Sequence, residues 1–182
     1  MSKKILVVVD VQNDFIDGSL RNDEAINKIP NIVKKINEFN GDYIFVTRDT
    51  HDYDYMTTNE GKYLPVAHCI KNTDGWYINS DVLAALHKKE LRDDACIIQY
   101  IDKPTFGSYD LVTCIKNIDG DLDIEFVGFC TDICVVSNVL LVKAAVYDRA
   151  TIVVDSECCA GVTVESHEAA LTTMRMCHVN II

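Results

Sequence analysis

Residues 128–135 read GFCTDICV, with Cys130 and Cys134 flanking a Thr-Asp-Ile stretch directly after an apolar run. Zinc knuckles and thioredoxin-like redox pairs favour two residues between their cysteines, and here there are three, so neither pattern applies. A cysteine in the first turn of a helix is a different matter. Free backbone N–H groups and the positive end of the helix dipole both favour a thiolate there. Cys134 meets that description if a helix opens at Thr131 with Thr131 as its N-cap, whereas Cys130 closes the preceding strand and reads as structural. Taken alone, Cys134 reads first as a small buried hydrophobe, the commonest fate of a free cysteine.

Other residues bear on that choice. Asp10 ends the run KILVVVDV (4–11), and Asp102-Lys103 ends ACIIQYID. A carboxylate beside Cys134 could take the thiol proton, and Lys103 could keep that carboxylate ionised and favour negative charge on sulfur. Read separately, Asp10 is as readily a loop cap as a functional group, and Lys103 reads as a solvated loop lysine. Asp49-x-His51 puts two ligands on one side of an extended segment, because side chains repeat every two residues. His68 follows in VAHCI, with Glu60 between them. Carboxylate and imidazole ligands suit one divalent ion, zinc first and iron or manganese as alternatives, with coordination positions left open. His87 lies in the charged stretch HKKE, and His167 and His178 belong to the last helix and beyond, away from these residues.

The elements that must position these residues alternate between strand and helix. The runs 4–11, 42–49, 95–102, 122–129 and 150–155 read as strands, with VNII a short sixth. Helical patterns follow Pro30, span Asp81–Leu91 with Ser80 as cap, and cover 109–118, 131–148 and 164–177. Residues 50–80 lack periodicity and hold Gly61, Pro65 and Gly75, so they form a long excursion of the kind that often carries function. Such alternation predicts an α/β, three-layer, doubly wound (Rossmann-like) mostly parallel sheet with helices on both faces. Strands one and four then lie side by side, and ligands bind beyond the carboxyl ends of the strands. Asp10, Asp49, Lys103 and Cys134 all sit at such ends.

Composition narrows the function classes. The 182 residues suit one domain, 1–182, and a 48% hydrophobic content argues against disorder. The formal net charge of −11 disfavours nucleic acid as a partner, since an acidic surface repels phosphate. No apolar run is long enough to span a bilayer, so no membrane association is expected. A signal peptide is not expected either, because Asp10 interrupts the N-terminal apolar stretch. Eight cysteines in a chain of this kind read as reduced thiols in a cytoplasmic protein.

Together, VVDVQNDF (8–15), TRDTH (47–51), AHCI (67–70), DKPTFGSYD (102–110) and GFCTDICV (128–135) resemble the isochorismatase-like cysteine hydrolases, most closely their nicotinamidase branch. The resemblance spans most of the chain. It implies a catalytic triad of Asp10, Lys103 and Cys134, and a metal site of Asp49, His51 and His68. Glu60 matches a further ligand of some members, while in others a serine at the position of Thr57 acts through water. It also implies a cis peptide at Phe129–Cys130 and an oxyanion hole formed by the backbone N–H groups of Cys130 and Cys134. The implied reaction is hydrolysis of a small amide, nicotinamide to nicotinic acid and ammonia, through a cysteine thioester, in pyridine nucleotide salvage. A homo-oligomer, dimer or tetramer, is implied as well.

The sequence departs from that branch at the substrate wall. Phe15 matches one ring-facing aromatic, but the opposing position is Pro65, preceded by Leu64, and Thr50 replaces a usual tryptophan. Trp76 is a candidate to compensate. Two other readings therefore stand beside the first: a cysteine hydrolase of another small amide or ureide, and a catalytically silent metal-binding or regulatory protein.

Overall fold

The computed structural model describes residues 2–92 and 96–182. Among them β1 (Lys3–Val9), β2 (Tyr43–Asp49), β3 (Ile97–Lys103), β4 (Leu122–Phe129), β5 (Ala150–Ala160) and β6 (Asn180–Ile181) form one sheet, ordered β3-β2-β1-β4-β5-β6. Every pairing is parallel. Residues of β1 alternate between two apolar layers. Ile5, Val7 and Val9 face α4 (Tyr109–Lys116), α5 (Val136–Val146) and α6 (Val164–Met176) through Leu111, Val139 and Leu171. Leu6 and Val8 face α1 (Asp23–Glu38) and α3 (Ser80–Glu90) through Ile32, Ile36, Val82 and Leu86. A strand covered on both faces needs no polar alternation, which is why β1 reads as a continuous apolar run. The doubly wound parallel fold expected from the alternation is the observed one, with β1 beside β4 at the switch point. No helix among the described residues is long and apolar enough to cross a membrane.

Several boundaries differ from expectation. Pro30 does not open a helix; it lies inside α1, which begins seven residues earlier because Asn22 accepts from the N–H groups of Glu24 and Ala25. Burial of Ile29, Ile32 and Ile36 outweighs the one backbone bond that Pro30 removes. Asn79, not Ser80, caps α3 by accepting from Asp81 and Val82. The strand expected at 150–155 runs on to Ala160, because a bulge between Phe126 and Gly128 lets Gly128 pair with Cys159. Ala95, where the third strand was expected to start, lies outside the described residues. The excursion at 50–80 carries only a short turn at Tyr55–Thr57 and the five-residue α2 (Asn59–Tyr63).

Gly128 is the tightest point of the sheet. Its φ is +121°, and a Cβ there would lie 2.0 Å from the carbonyl oxygen of Val9. Gly128→Ala is therefore expected to lower stability by at least about 3 kcal/mol, from left-handed backbone and overpacking together. Chemical denaturation checks this; a loss within about 0.5 kcal/mol would mean that β1 and β4 separate freely here.

Candidate active site

At the carboxyl end of β1 the chain turns away from the sheet at Asp10, whose φ is +49°. The turn aims a completely buried carboxylate across the switch point. Thr47 on β2 donates its hydroxyl to Asp10 Oδ1 at 2.6 Å, and Lys103 at the end of β3 places its Nζ 2.6 Å from Asp10 Oδ2. Burial raises the pKa of Asp10, with the Lys103 ammonium pulling against it. Lys103 is itself 1% exposed. Burial alone would lower its pKa, but Asp10, Cys134 and Asp49 outweigh that, so it stays charged.

The same ammonium reaches two further groups: Cys134 Sγ at 3.6 Å and Asp49 Oδ1 at 3.5 Å. Cys134 stands in a five-residue π-helical turn, Thr131–Val135, that leads into α5. The peptide between Phe129 and Cys130 is cis, as the sequence resemblance implied. Thr131 is not a side-chain cap for this turn; its hydroxyl bonds instead to His167 Nδ1 at 2.8 Å. That contact also corrects the expectation for His167, which α6 brings back against the Cys130–Cys134 turn. Burial raises the thiol pKa of Cys134 well above its ordinary value, with the Lys103 charge opposing it. The resting sulfur therefore carries its proton.

On the far side of Lys103, four side chains converge. Asp49 Oδ2 lies 3.0 Å from His51 Nε2 and 3.4 Å from His68 Nε2, and Glu60 Oε1 lies 3.6 Å and 3.7 Å from the same two nitrogens. All four ligand atoms fall within 4.8 Å of one another. His68 donates from Nδ1 to the Val66 carbonyl at 2.9 Å, which leaves its Nε2 lone pair facing the cluster. Two carboxylates and two imidazoles converging on one space could hold a cation between them. Separations of 3.0–3.7 Å suit donors each about 2.0–2.2 Å from a shared centre, so the set fits a divalent transition metal. Burial would raise the pKa of Asp49, but the imidazoles of His51 and His68 and the Lys103 ammonium beside it outweigh that and hold it far below the carboxylate range. Glu60 is shifted the other way, by burial and by the Asp49 charge. Thr57 is exposed and spends its hydroxyl on the Asp54 carbonyl, so Glu60 is the side chain that joins the cluster.

Cys134 and the cluster open into one cleft of about 860 Å³, lined on one side by Asp49, Glu60 and His68 and on the other by Cys130 and Cys134. A match to the isochorismatase domain covers residues 4–182. The chain belongs to the isochorismatase family. It is 26% identical over 212 aligned positions to a nicotinamidase of Schizosaccharomyces pombe, covering 97% of this chain and 91% of that one. Among solved structures it is similar to a nicotinamidase/pyrazinamidase from Bacillus subtilis, with a TM-score of 0.81, 25% identity and 98% of each chain covered. A pyrazinamidase of Pyrococcus horikoshii in complex with zinc matches with a TM-score of 0.78 and 25% identity, over 99% of this chain and 98% of that one.

Within this isochorismatase fold the cleft walls differ in part from the sequence expectation. Phe15 and Leu64 line the cleft, with Phe15 edge-on to His68 at 5.7 Å between ring centres. Pro65 is exposed and is not a lining residue; the short α2 ends at Tyr63 and turns Leu64 inward instead. Trp76 stands behind the wall, its ring N–H donating to Thr50 Oγ1 at 2.8 Å and its face covered by the Arg48 guanidinium. Sequence reasoning missed Phe106 and Ile133, which close the cleft near Cys134. It also missed Asn138, whose amide nitrogen donates to the carbonyls of Cys134 and Phe106 while its oxygen accepts from Ser108 N–H. A lone amide four residues after Cys134, inside the apolar run VVSNVLLV, was the available signal.

Proposed function

We propose that this chain is a metal-assisted cysteine amidohydrolase that converts nicotinamide and water to nicotinic acid and ammonia, in pyridine nucleotide salvage. The observation that carries the reading is the position of Lys103 Nζ. It contacts Asp10, Cys134 and Asp49 together, and so sets a nucleophile and a metal cluster on one cleft. The relatives that bear nicotinamidase names support the substrate.

Asp10 acts as the base. It takes the Cys134 proton as the sulfur attacks the amide carbon, and Lys103 offsets the negative charge passing between them. The tetrahedral oxyanion is held by the backbone N–H groups of Cys130 and Cys134. Asp10 then passes its proton to the departing nitrogen, releasing ammonia and leaving a thioester. Next Asp10 deprotonates a water that attacks the thioester, and the proton returns to sulfur as the acid leaves. Asp49, His51, His68 and Glu60 would hold the metal, zinc first, which supplies a Lewis acid to anchor the ring nitrogen. Phe15 and Leu64 flank the ring.

Ammonia release across a panel of nicotinamide, pyrazinamide and benzamide tests this. Benzamide, which lacks the ring nitrogen, is expected to show kcat/KM at least about tenfold below nicotinamide. A chelator should lower the nicotinamide rate by at least about tenfold, and zinc at a hundred times its Kd should add about 2.7 kcal/mol of stability. No release from nicotinamide, with another small amide or ureide turned over, would favour the second reading. The cleft gives that reading its footing: its volume of about 860 Å³ lies toward the upper end of ligand pockets.

A further inference from the structure

Gln12 follows Asp10 by two residues, is completely buried, and belongs to neither the triad nor the cluster. Its side-chain amide makes three hydrogen bonds. Oε1 accepts from the Asp49 N–H at 2.7 Å, while Nε2 donates to the Asp49 carbonyl at 2.8 Å and to the Trp76 carbonyl at 2.9 Å. The ladder between β1 and β2 ends at Val9 and Thr47, because β1 leaves the sheet at Asp10. Asp49 therefore keeps its partner strand on the β3 side, opposite Lys103, but has lost β1 on the other. The Gln12 amide stands where the β1 peptide would have been, and it pairs with both backbone groups of Asp49.

We propose that Gln12 is a positioning residue for the metal centre, an amide that substitutes for a missing strand and so fixes the direction of the Asp49 carboxylate. This rests on the metal reading given above. The bond to Trp76 extends the hold to the excursion that supplies His68. Along the same limb the Asp14 backbone N–H donates to the Gly75 carbonyl, and the Asp14 carboxylate accepts from the N–H of Cys69, next to His68. Freeing Asp49 on the β1 side lets its carboxylate swing, and ligand geometry is lost while the four ligands remain. Outer partners of metal ligands typically contribute about 10–100-fold in affinity.

The test is zinc affinity, measured by competition with a chromophoric chelator, beside thermal unfolding of the zinc-free proteins. Gln12→Met keeps the volume and removes all three bonds; Gln12→Asn keeps the amide but is too short to span both groups of Asp49. Asn138→Leu is the control, a buried amide removed away from the cluster. The expected result is zinc binding about 10–100-fold weaker in Gln12→Met and intermediate in Gln12→Asn, with Asn138→Leu destabilised but unchanged in zinc affinity. The cobalt-loaded protein should show altered visible bands in the two Gln12 variants only. If Gln12→Met does not fold, the Gln12→Asn comparison decides alone. Wild-type zinc affinity in a folded Gln12 variant would overturn the inference while leaving the metal site standing. A parent protein that takes up no zinc would remove the metal reading, and this inference with it.

Discussion

Cys134→Ala is expected to lower ammonia release by roughly 10⁴-fold or more, the scale seen when a catalytic nucleophile is removed. Stability should change little. The side chain is buried, but it loses only one sulfur atom, a cost of about 1 kcal/mol. Steady-state ammonia assays on protein shown to be folded by its unfolding curve separate the two effects. A rate in Cys134→Ala within tenfold of the parent would make Cys134 a buried core residue and remove it from the reaction.

Lys103→Met should affect stability and activity together. The substitution leaves Asp10 and Asp49 buried without the ammonium that lies 2.6 Å from one and 3.5 Å from the other. Breaking such a buried pair costs about 3–5 kcal/mol. The sign of the pH dependence follows from Asp10. Burial raises its folded pKa above the unfolded value, and Lys103 opposes that rise. A raised carboxyl pKa contributes stability only at low pH, and the contribution is lost as pH climbs through it. Removing Lys103 enlarges the rise, so the deficit of the variant should be greatest at neutral and alkaline pH and should narrow on acidification. By the same logic the acid limb of its kcat/KM profile should move to higher pH, because Asp10 must be ionised to act. Denaturation at acidic and slightly alkaline pH, with a pH–rate profile, checks both; a deficit independent of pH would mean that Lys103 does not govern the charge of Asp10.

Much of the site was legible because ligands of a doubly wound parallel sheet gather beyond the carboxyl ends of its strands. Asp10, Asp49 and Lys103 each interrupt or close an apolar run, and it was their combination with Cys134, together with the family resemblance, that pointed to one site. The cluster was legible for a related reason, since Asp49-x-His51 carries its own geometry. His68 and Glu60 required the excursion to fold back over the strand ends, and nothing in its aperiodic sequence says how far a loop reaches. The misses share a cause. Pro30 inside α1, Pro65 outside the cleft and His167 against the Cys134 turn are all set by tertiary packing that local propensity does not encode. Gln12 escaped notice because a glutamine that replaces a strand looks, in sequence, like any polar residue after an apolar run.

In the proposed reaction nicotinamide loses ammonia and leaves an acyl group on Cys134. Turnover of nicotinamide in the presence of hydroxylamine tests it directly, because a thioester partitions between water and the added nucleophile. The expected product is nicotinohydroxamic acid, growing with hydroxylamine at the expense of nicotinic acid, with no product of either kind from Cys134→Ala. Ammonia release that yields nicotinic acid alone at every hydroxylamine concentration would contradict it.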